Sequence, residues 1–314
     1  MSTNPSEQKN YKAFIAGILS GTTKLSVGHP FDTIKVRLQT APSSQFSGPL
    51  QCLLQTVRKE GVMGLYKGAT PPLVGWIFMD SILMGSLTFY RSLLKRTLFA
   101  PKKSTNISLS SSAASLPHNL PTVGHGIAGL LAGVTVSFFA APVEHIKARL
   151  QVQYSKTKRC YTGPIDCIQK IYTHHGIGGI YHGLIATLIF RSSFFFWWSS
   201  YDLITAQFLK HTSLSTSMVN FYAGGLSAQI FWCISYPFDV VKQKIMTDSL
   251  GGTLGDGKPR WVGWGNGWLG AARGVFAESG FRGYWRGFLP CFLRAFPANA
   301  MAMTTFEAVM RSLP

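Results

Sequence analysis

Acidic residues are scarce in this chain: 12 Asp and Glu face 30 Lys and Arg, and charged residues of both signs make up only 13% of 314 positions. An average soluble domain carries roughly 25%. With 46% hydrophobic residues and a positive mean hydropathy of +0.16, the shortage of charge points to a membrane protein. The formal charge of +18 suits a nucleic-acid binder, a membrane protein with basic loops, or a carrier of anions. A nucleic-acid binder needs a basic patch on a solvated fold, whereas here the bases stand at the ends of apolar runs, so no nucleic-acid partner is expected.

Cysteine is sparse and unpatterned. Cys52, Cys160, Cys167, Cys233 and Cys291 form an odd set without CxxC spacing, which speaks against a disulfide framework or a zinc site. The eight histidines are scattered, and the adjacent His174 and His175 have neither helical spacing nor a third ligand, so no metal or cofactor is expected. Enzyme signatures are missing too: there is no Ser/His/Asp order, and "GGTLGDGKP" lacks the spacing and the preceding strand of a phosphate loop. The opening "MSTNPSEQKNYKAF" has no apolar core before a cleavage site and is not an Arg-rich, acid-free presequence, so targeting information is expected to be internal.

What the chain does have is a threefold repeat. "PFDTIKVRLQ" at Pro30, "PVEHIKARLQ" at Pro142 and "PFDVVKQKIM" at Pro237 share a proline, an acid two residues on, and two bases. Thirteen residues before each proline stands Gly17, Gly129 or Gly224, and nine before it Gly21, Gly133 or Ala228. Downstream, "EGVMGLYKG", "HGIGGIYHG" and "SGFRGYWRG" each end on a glycine, at Gly68, Gly183 and Gly287. The second of these has His175 and His182 where the first has Glu60 and Lys67. Each unit is about a hundred residues long, near the size of a small domain, yet the units need not fold separately.

The apolar stretches before each proline and after each closing glycine predict six helices, about 11–40, 70–97, 121–154, 184–210, 217–247 and 288–312. Each is long enough for a bilayer that needs ~20 residues. Small residues such as Gly17/Gly21 and Gly129/Gly133 would let helices approach closely in lipid, and segments such as "LQCLLQTVRKEG" are suited to lie along the membrane surface. A Ser-rich linker at 100–121 and a Gly-rich insertion at 248–267 fit neither pattern.

Three tandem PX[DE]XX[KR]X[KR] motifs in a six-helix chain resemble the mitochondrial carrier family, over nearly the whole length. The resemblance implies an all-α membrane protein: a single carrier domain over 1–314, with repeat one at 11–99, repeat two at 122–212 and repeat three at 217–313, forming a threefold pseudosymmetric bundle around a central cavity. It implies a transporter rather than an enzyme, located in the inner mitochondrial membrane and working by alternating access. Its expected partners are a small-molecule metabolite and membrane lipid, cardiolipin above all, and the chain is expected to be a monomer.

The family also assigns roles to residues. A lone charge inside a bilayer costs several kcal/mol, so intramembrane acids and bases face a partner or water. Carried over, the matrix-gate pairs are Asp32 with Lys147, Glu144 with Lys242, and Asp239 with Lys35. Gln39 and Gln151 stand at the bracing positions, and Met246 at the third. The cytoplasmic motif is worn. Tyr201-Asp202 and Phe306-Glu307 keep the aromatic and the acid, but Thr205 and Met310 replace the bases. In the first copy Thr88 stands for the acid and Arg91 keeps the base, so only Glu307 with Arg91 can bridge.

Seven residues after each closing glycine come the positions where the family reads its substrate: Gly75, Phe190 with Arg191 next to it, and Arg294. The fork of Arg294 suits a carboxylate or phosphate. Asp80 is the mid-membrane acid without a gate role; it either pairs with a substrate cation or neutralises Lys24 or Arg191. Trp76, Trp197, Trp198 and Trp232 offer cation–π contact or plain packing. "GHPFDTIKVRLQT" and "RAFPANA" resemble most the carnitine/acylcarnitine and basic-amino-acid branch, but Phe190-Arg191-Ser192 lacks the acid that carnitine carriers hold on helix 4. The expected activity is exchange of a carboxylate-bearing cationic or zwitterionic metabolite, carnitine or a basic amino acid. The alternatives are a nucleotide or cofactor anion, or a carrier fold serving as scaffold or receptor without transport. Uniport and exchange, and mitochondrial and peroxisomal placement, both fit these residues.

Overall fold

A computed structural model describes residues 5–42, 44–99, 120–153, 160–251 and 267–312. Every regular element among them is helical: α1 (Pro5–Thr40), α2 (Pro49–Glu60), a 3₁₀ turn (Val62–Tyr66), α3 (Thr70–Thr97), α4 (Thr122–Gln151), α5 (Pro164–Ile180), α6 (Leu184–Ser192), α7 (Phe194–His211), α8 (Thr216–Thr247), α9 (Trp268–Gly283) and α10 (Phe288–Ser312). Most of the Ser-rich linker and of the Gly-rich insertion lies outside the described residues.

The long helices run through their prolines. Pro30, Pro142, Pro237 and Pro297 all sit inside continuous helices, each removing one backbone donor without ending its helix. The stretch predicted as one helix from 184 to 210 is two, because Ser193 closes a tight turn in which its N–H reaches Phe190 O at 3.2 Å. Among the described residues only α4 joins length to a mean hydropathy of 1.8 over an 18-residue window. Polarity elsewhere has a local reason: α1 alone carries Lys24, Asp32, Lys35 and Arg37, and such a helix turns one side to partners rather than to lipid.

The small-residue pairs behave unequally. A Cβ on Gly129 would meet Phe194 O at 2.8 Å, and one on Gly133 would meet Arg191 O at 2.8 Å, so there a backbone passes where a side chain cannot. Gly17, Gly21 and Gly224 have nothing within 4 Å of an added Cβ among the described residues. The closing glycines are alike in conformation: Gly68, Gly183 and Gly287 have φ of 74°, 92° and 84°, the left-handed region that side-chain-bearing residues avoid. At Gly68 an added Cβ would also lie 2.8 Å from Lys147 O. This dihedral explains why the glycine returns in every copy.

The chain divides into two compact units, residues 1–75, 142–182 and 240–314 in one, and 76–141 and 183–239 in the other. In the first, α2 lies on α1 over a core of Ile34, Leu38, Phe46, Cys52 and Leu65, and α5 repeats this on α4 with Ile146, Leu150, Tyr161, Cys167 and Ile171. Burial pushes the thiols of Cys52 and Cys167 up to about 11 and about 12, so both act as small apolar side chains. Meanwhile Leu50 and Leu54 of α2 are exposed, as a helix lying in a lipid interface requires.

The second base of the motif fastens a surface helix in the first and third copies. Arg37, 1% exposed, grips Glu60 with two nitrogens at 2.6 and 2.9 Å, donates to Thr56 Oγ1 at 3.0 Å, and reaches Gln151 O at 3.0 Å. Burial opposes ionisation of Glu60, but hydrogen bonds from Arg37 and Lys67 outweigh it and hold the carboxyl below its ordinary range. In the third copy Lys244 bonds Glu278. In the second copy His175 occupies the acid's place, and Arg149 turns to neutral acceptors: His145 Nε2 at 2.7 Å, Tyr161 OH at 3.3 Å and Asp248 O. Accepting from Arg149 through Nε2 fixes His145 as neutral, with the proton on Nδ1 facing Ile180 O at 3.2 Å.

The basic position before each closing glycine reaches forward to the next copy. Lys67 donates to Gln153 O, His182 Nε2 to Ile245 O at 2.8 Å, and Arg286 to Ala41 O at 3.1 Å and Phe46 O at 3.0 Å. His182 is the titratable member of this set. It faces Arg149, His145, His175 and Asp248. Burial first, and then the Arg149 charge, lower it from the ordinary imidazole value of 6.5. A depressed histidine stabilises the fold fully above its unfolded value and loses that contribution as pH falls toward the folded value. The melting temperature of the purified protein should therefore drop as pH falls below 6.5. His182→Gln, which keeps an N–H donor without the titration, should flatten that slope; an identical slope would assign the pH dependence to other groups.

Candidate functional site

Glu144 and Lys147 stand three apart on α4, so both project from one side of the helix and can serve different neighbours. Lys147 Nζ lies 2.9 Å from Asp32 Oδ2 on α1, and Glu144 Oε2 lies 2.9 Å from Lys242 Nζ on α8. These side chains are 4 to 22% exposed. Asp239 and Lys35 are buried at 1% and 7% and fall in different units. Gln39 and Gln151 are buried beside this region. Gln151 gives its amide to Thr33 Oγ1 at 3.1 Å, and Thr33 in turn donates to Leu65 O at 2.7 Å, so this glutamine ties α4 to α1 through the residue after Asp32.

Asp32 holds a second cation that sequence reasoning did not foresee. Arg294 Nη1 on α10 is 3.1 Å from Asp32 Oδ1, so each carboxylate oxygen carries one base: Lys147 on Oδ2, Arg294 on Oδ1. Two helices are prepared for this. A Cβ on Gly28, one turn before Asp32, would lie 3.5 Å from both Cγ and Cδ of Arg294 and 3.6 Å from Ala298 Cβ, so small residues let the arginine stem lie along α1. Nearby, Ser20 Oγ donates to Ala302 O at 2.8 Å and Thr23 meets Thr305 at 3.3 Å, fastening α1 to α10. The Asp32 side chain is 11% exposed and that of Arg294 is 26% exposed. A guanidinium thus sits with one edge on an internal carboxylate and part of its surface open.

Other predicted positions are spread more widely. Lys24 on α1 and Asp80 on α3 are exposed, Gly75 is half-buried, and the side chains of Trp76 and Glu307 lie outside the described residues. Phe190 is buried at 6% in an aromatic cluster, its ring 5.8 Å from Phe231 and 6.4 Å from Trp232. Arg191 lies over the Phe194 ring at 5.4 Å. In the second unit Arg91 stacks over Trp198 at 4.8 Å, which gives that tryptophan an internal cation to face. Asp202 accepts from Thr122 at 2.6 Å and lies 3.6 Å from His125 Nε2.

The arrangement contains buried acids and bases held in ion pairs. Among the described residues no cluster of three metal-ligating side chains exists. Paired charges of this kind can exchange partners with a charged ligand.

Comparison with known proteins agrees. The mitochondrial carrier protein family matches residues 6–98, 118–212 and 214–314. The mitochondrial substrate carrier family protein L of Dictyostelium discoideum is 37% identical over 308 residues, covering 98% of this chain and 97% of that protein. The human mitochondrial basic amino acids transporter is 33% identical, covering 95% of this chain and 89% of its own length. A glutamate/glycine mitochondrial carrier of Schizosaccharomyces pombe is 31% identical, at 96% and 94%. Three matched copies of one helical unit, and relatives that align over almost their full lengths, lead to one conclusion: the chain belongs to the mitochondrial carrier family, multi-pass proteins of the inner mitochondrial membrane that transport small molecules and are not enzymes.

Proposed function

We propose that this carrier exchanges an amino acid, basic or small and zwitterionic, by alternating access. The observation that carries the reading is the guanidinium of Arg294, 26% exposed and 3.1 Å from a gate carboxylate, where its fork offers an entering carboxylate a bidentate partner. The printed names of two relatives, a basic amino acids transporter and a glutamate/glycine carrier, support an amino acid over carnitine, as does the absence of an acid beside Arg191. Asp80 is the acid this reading leaves for a positive group on the substrate's side chain, with Lys24, Gly75, Trp76, Phe190 and Arg191 as further contact residues.

In this reading the pairs Asp32–Lys147, Glu144–Lys242 and Asp239–Lys35 form the matrix gate, and Arg91–Glu307 the cytoplasmic one, with Asp202 held by neutral and imidazole partners. The protein works as a monomer. A cavity of about 160 Å³ lined by Lys67, Gly68, Thr162 and Gly163, at the N-terminus of α5, supports a lipid phosphate there, with cardiolipin as the lipid, because a helix start and an ammonium both attract an anion.

Two outcomes follow for the purified protein in liposomes. Removing one partner of a buried pair strands a charge at a cost of about 3–5 kcal/mol, so Lys147→Ala should lower both uptake and melting temperature, and Asp32→Lys combined with Lys147→Asp should recover part of the loss. A double variant no better than either single would remove the pairing from the gate. Uptake of arginine, lysine, ornithine, glutamate, glycine and carnitine, with and without internal counter-substrate, tests the substrate class. Arg294→Ala should abolish uptake of every transported compound, and Arg294→Lys should restore little. Normal uptake by the alanine variant, or wild-type uptake of carnitine alone, would overturn the assignment.

A further inference from the structure

The Arg294–Asp32 contact joins two groups that the sequence assigns to different tasks, one to the substrate and one to the gate. In this structure they satisfy each other, with Nη1 at 3.1 Å from Oδ1, while the other oxygen keeps Lys147 at 2.9 Å. A ligand carboxylate that engages the Arg294 fork competes with Asp32 for it. If it succeeds, Oδ1 loses a cation, and a buried carboxylate short of a partner is costly. A ligand that brings only a carboxylate must therefore outcompete an internal ion pair and leave Asp32 with Lys147 and the nearby Lys35 charge in place of three bases. A ligand that brings only an ammonium offers the guanidinium nothing in place of Asp32 Oδ1. A ligand with both charges on one carbon can enter between the two groups and give each an opposite charge.

Resting on the amino-acid reading above, we propose that Asp32 is a direct substrate ligand, and that the Arg294–Asp32 pair opens to clasp the head group of an α-amino acid, the carboxylate on Arg294 and the primary ammonium on Asp32 Oδ1. Hydrogen-bonding chemistry sharpens the specificity. A primary ammonium has three N–H donors to replace the guanidinium N–H that Oδ1 loses, whereas a trimethylammonium has none. The clasp thus rejects betaine-like head groups even though their charges match. At Gly28 an added Cβ would already touch Cγ and Cδ of Arg294 at 3.5 Å, so only a side chain that branches beyond Cβ would press on the arginine stem as it turns from Asp32 toward the ligand. Because Asp32 Oδ2 stays on Lys147, the ligand's ammonium sits one carboxylate away from a gate lysine. Occupancy of the clasp is then felt by the gate through a single shared acid, without a relay of side chains.

The test separates ligand charges one at a time. With an α-amino acid that the carrier transports, binding to the purified wild-type protein is measured by thermal shift and titration. The same is done for its des-amino carboxylate, its decarboxylated amine and its N-trimethyl betaine. Each of the three should bind at least tenfold more weakly than the amino acid. Asp32→Asn keeps the shape but not the charge. It should erase the preference for the amino acid by weakening the amino acid, while the des-amino acid binds at least as well as to wild type, since it no longer competes with the Asp32 charge for Arg294. If Asp32→Asn does not fold, the wild-type series alone decides, together with Gly28→Val, which should weaken the amino acid more than the decarboxylated amine. The proposal is overturned if the betaine or the des-amino acid binds as well as the amino acid, or if Asp32→Asn weakens the amino acid and the des-amino acid equally. A protein that transports and binds no amino acid at all would instead refute the proposed function.

Discussion

A charge inside a bilayer must be paired, hydrated or functional, and in this protein pairing of buried charge organises nearly everything else. Asp32 and Lys147, Glu144 and Lys242, Arg37 and Glu60 all lie at helix ends or between packed helices, at 2.6 to 2.9 Å. Removing any partner leaves a charge where the dielectric is low, so these contacts fix which helices stand together even where they add little net stability. Transport needs the same property. A pair that is expensive to break alone but easy to exchange for another pair offers two states of similar energy, and a carrier must pass between such states.

Much of this was legible in the chain because it is local or repeated. The proline-acid-base motif, the six long apolar stretches, the surface helices and the closing glycines each follow from a spacing, and the glycines' φ of 74° to 92° supplies the reason for their return. The departures of the second copy, His175 and His182, could also be read directly. Their consequence could not, since the acceptors that Arg149 takes instead include the hydroxyl of Tyr161 and a carbonyl at Asp248, which no pattern of residue types announces. Backbone carbonyls carry no sequence signature.

Other features depended on three-dimensional proximity. Arg294 and Asp32 lie at opposite ends of the sequence, and nothing in either motif marks them as neighbours; Gly28 was the faint signal, a glycine one turn before the acid with no turn to make. The break at Ser193 falls at Arg191-Ser192-Ser193, between two apolar runs, and three polar residues inside a long helix do not by themselves announce a turn. The glycines at Gly129 and Gly133 are filled by backbone from 191 to 194, whereas the equivalent Gly17 and Gly21 meet nothing within 4 Å among the described residues, so identical spacing produced different packing.

The forward contacts of Lys67, His182 and Arg286 run from the first copy to the second, the second to the third, and the third back to the first. Such a closed circuit behaves differently from a row. In a row, cutting one link frees everything beyond it. In a circuit of three, any two members stay connected by the longer way round after one cut, so a single loosened link gives a hinge, and only a second cut sets one member adrift. One loosened link is thus tolerable, because the other two still hold all three copies together.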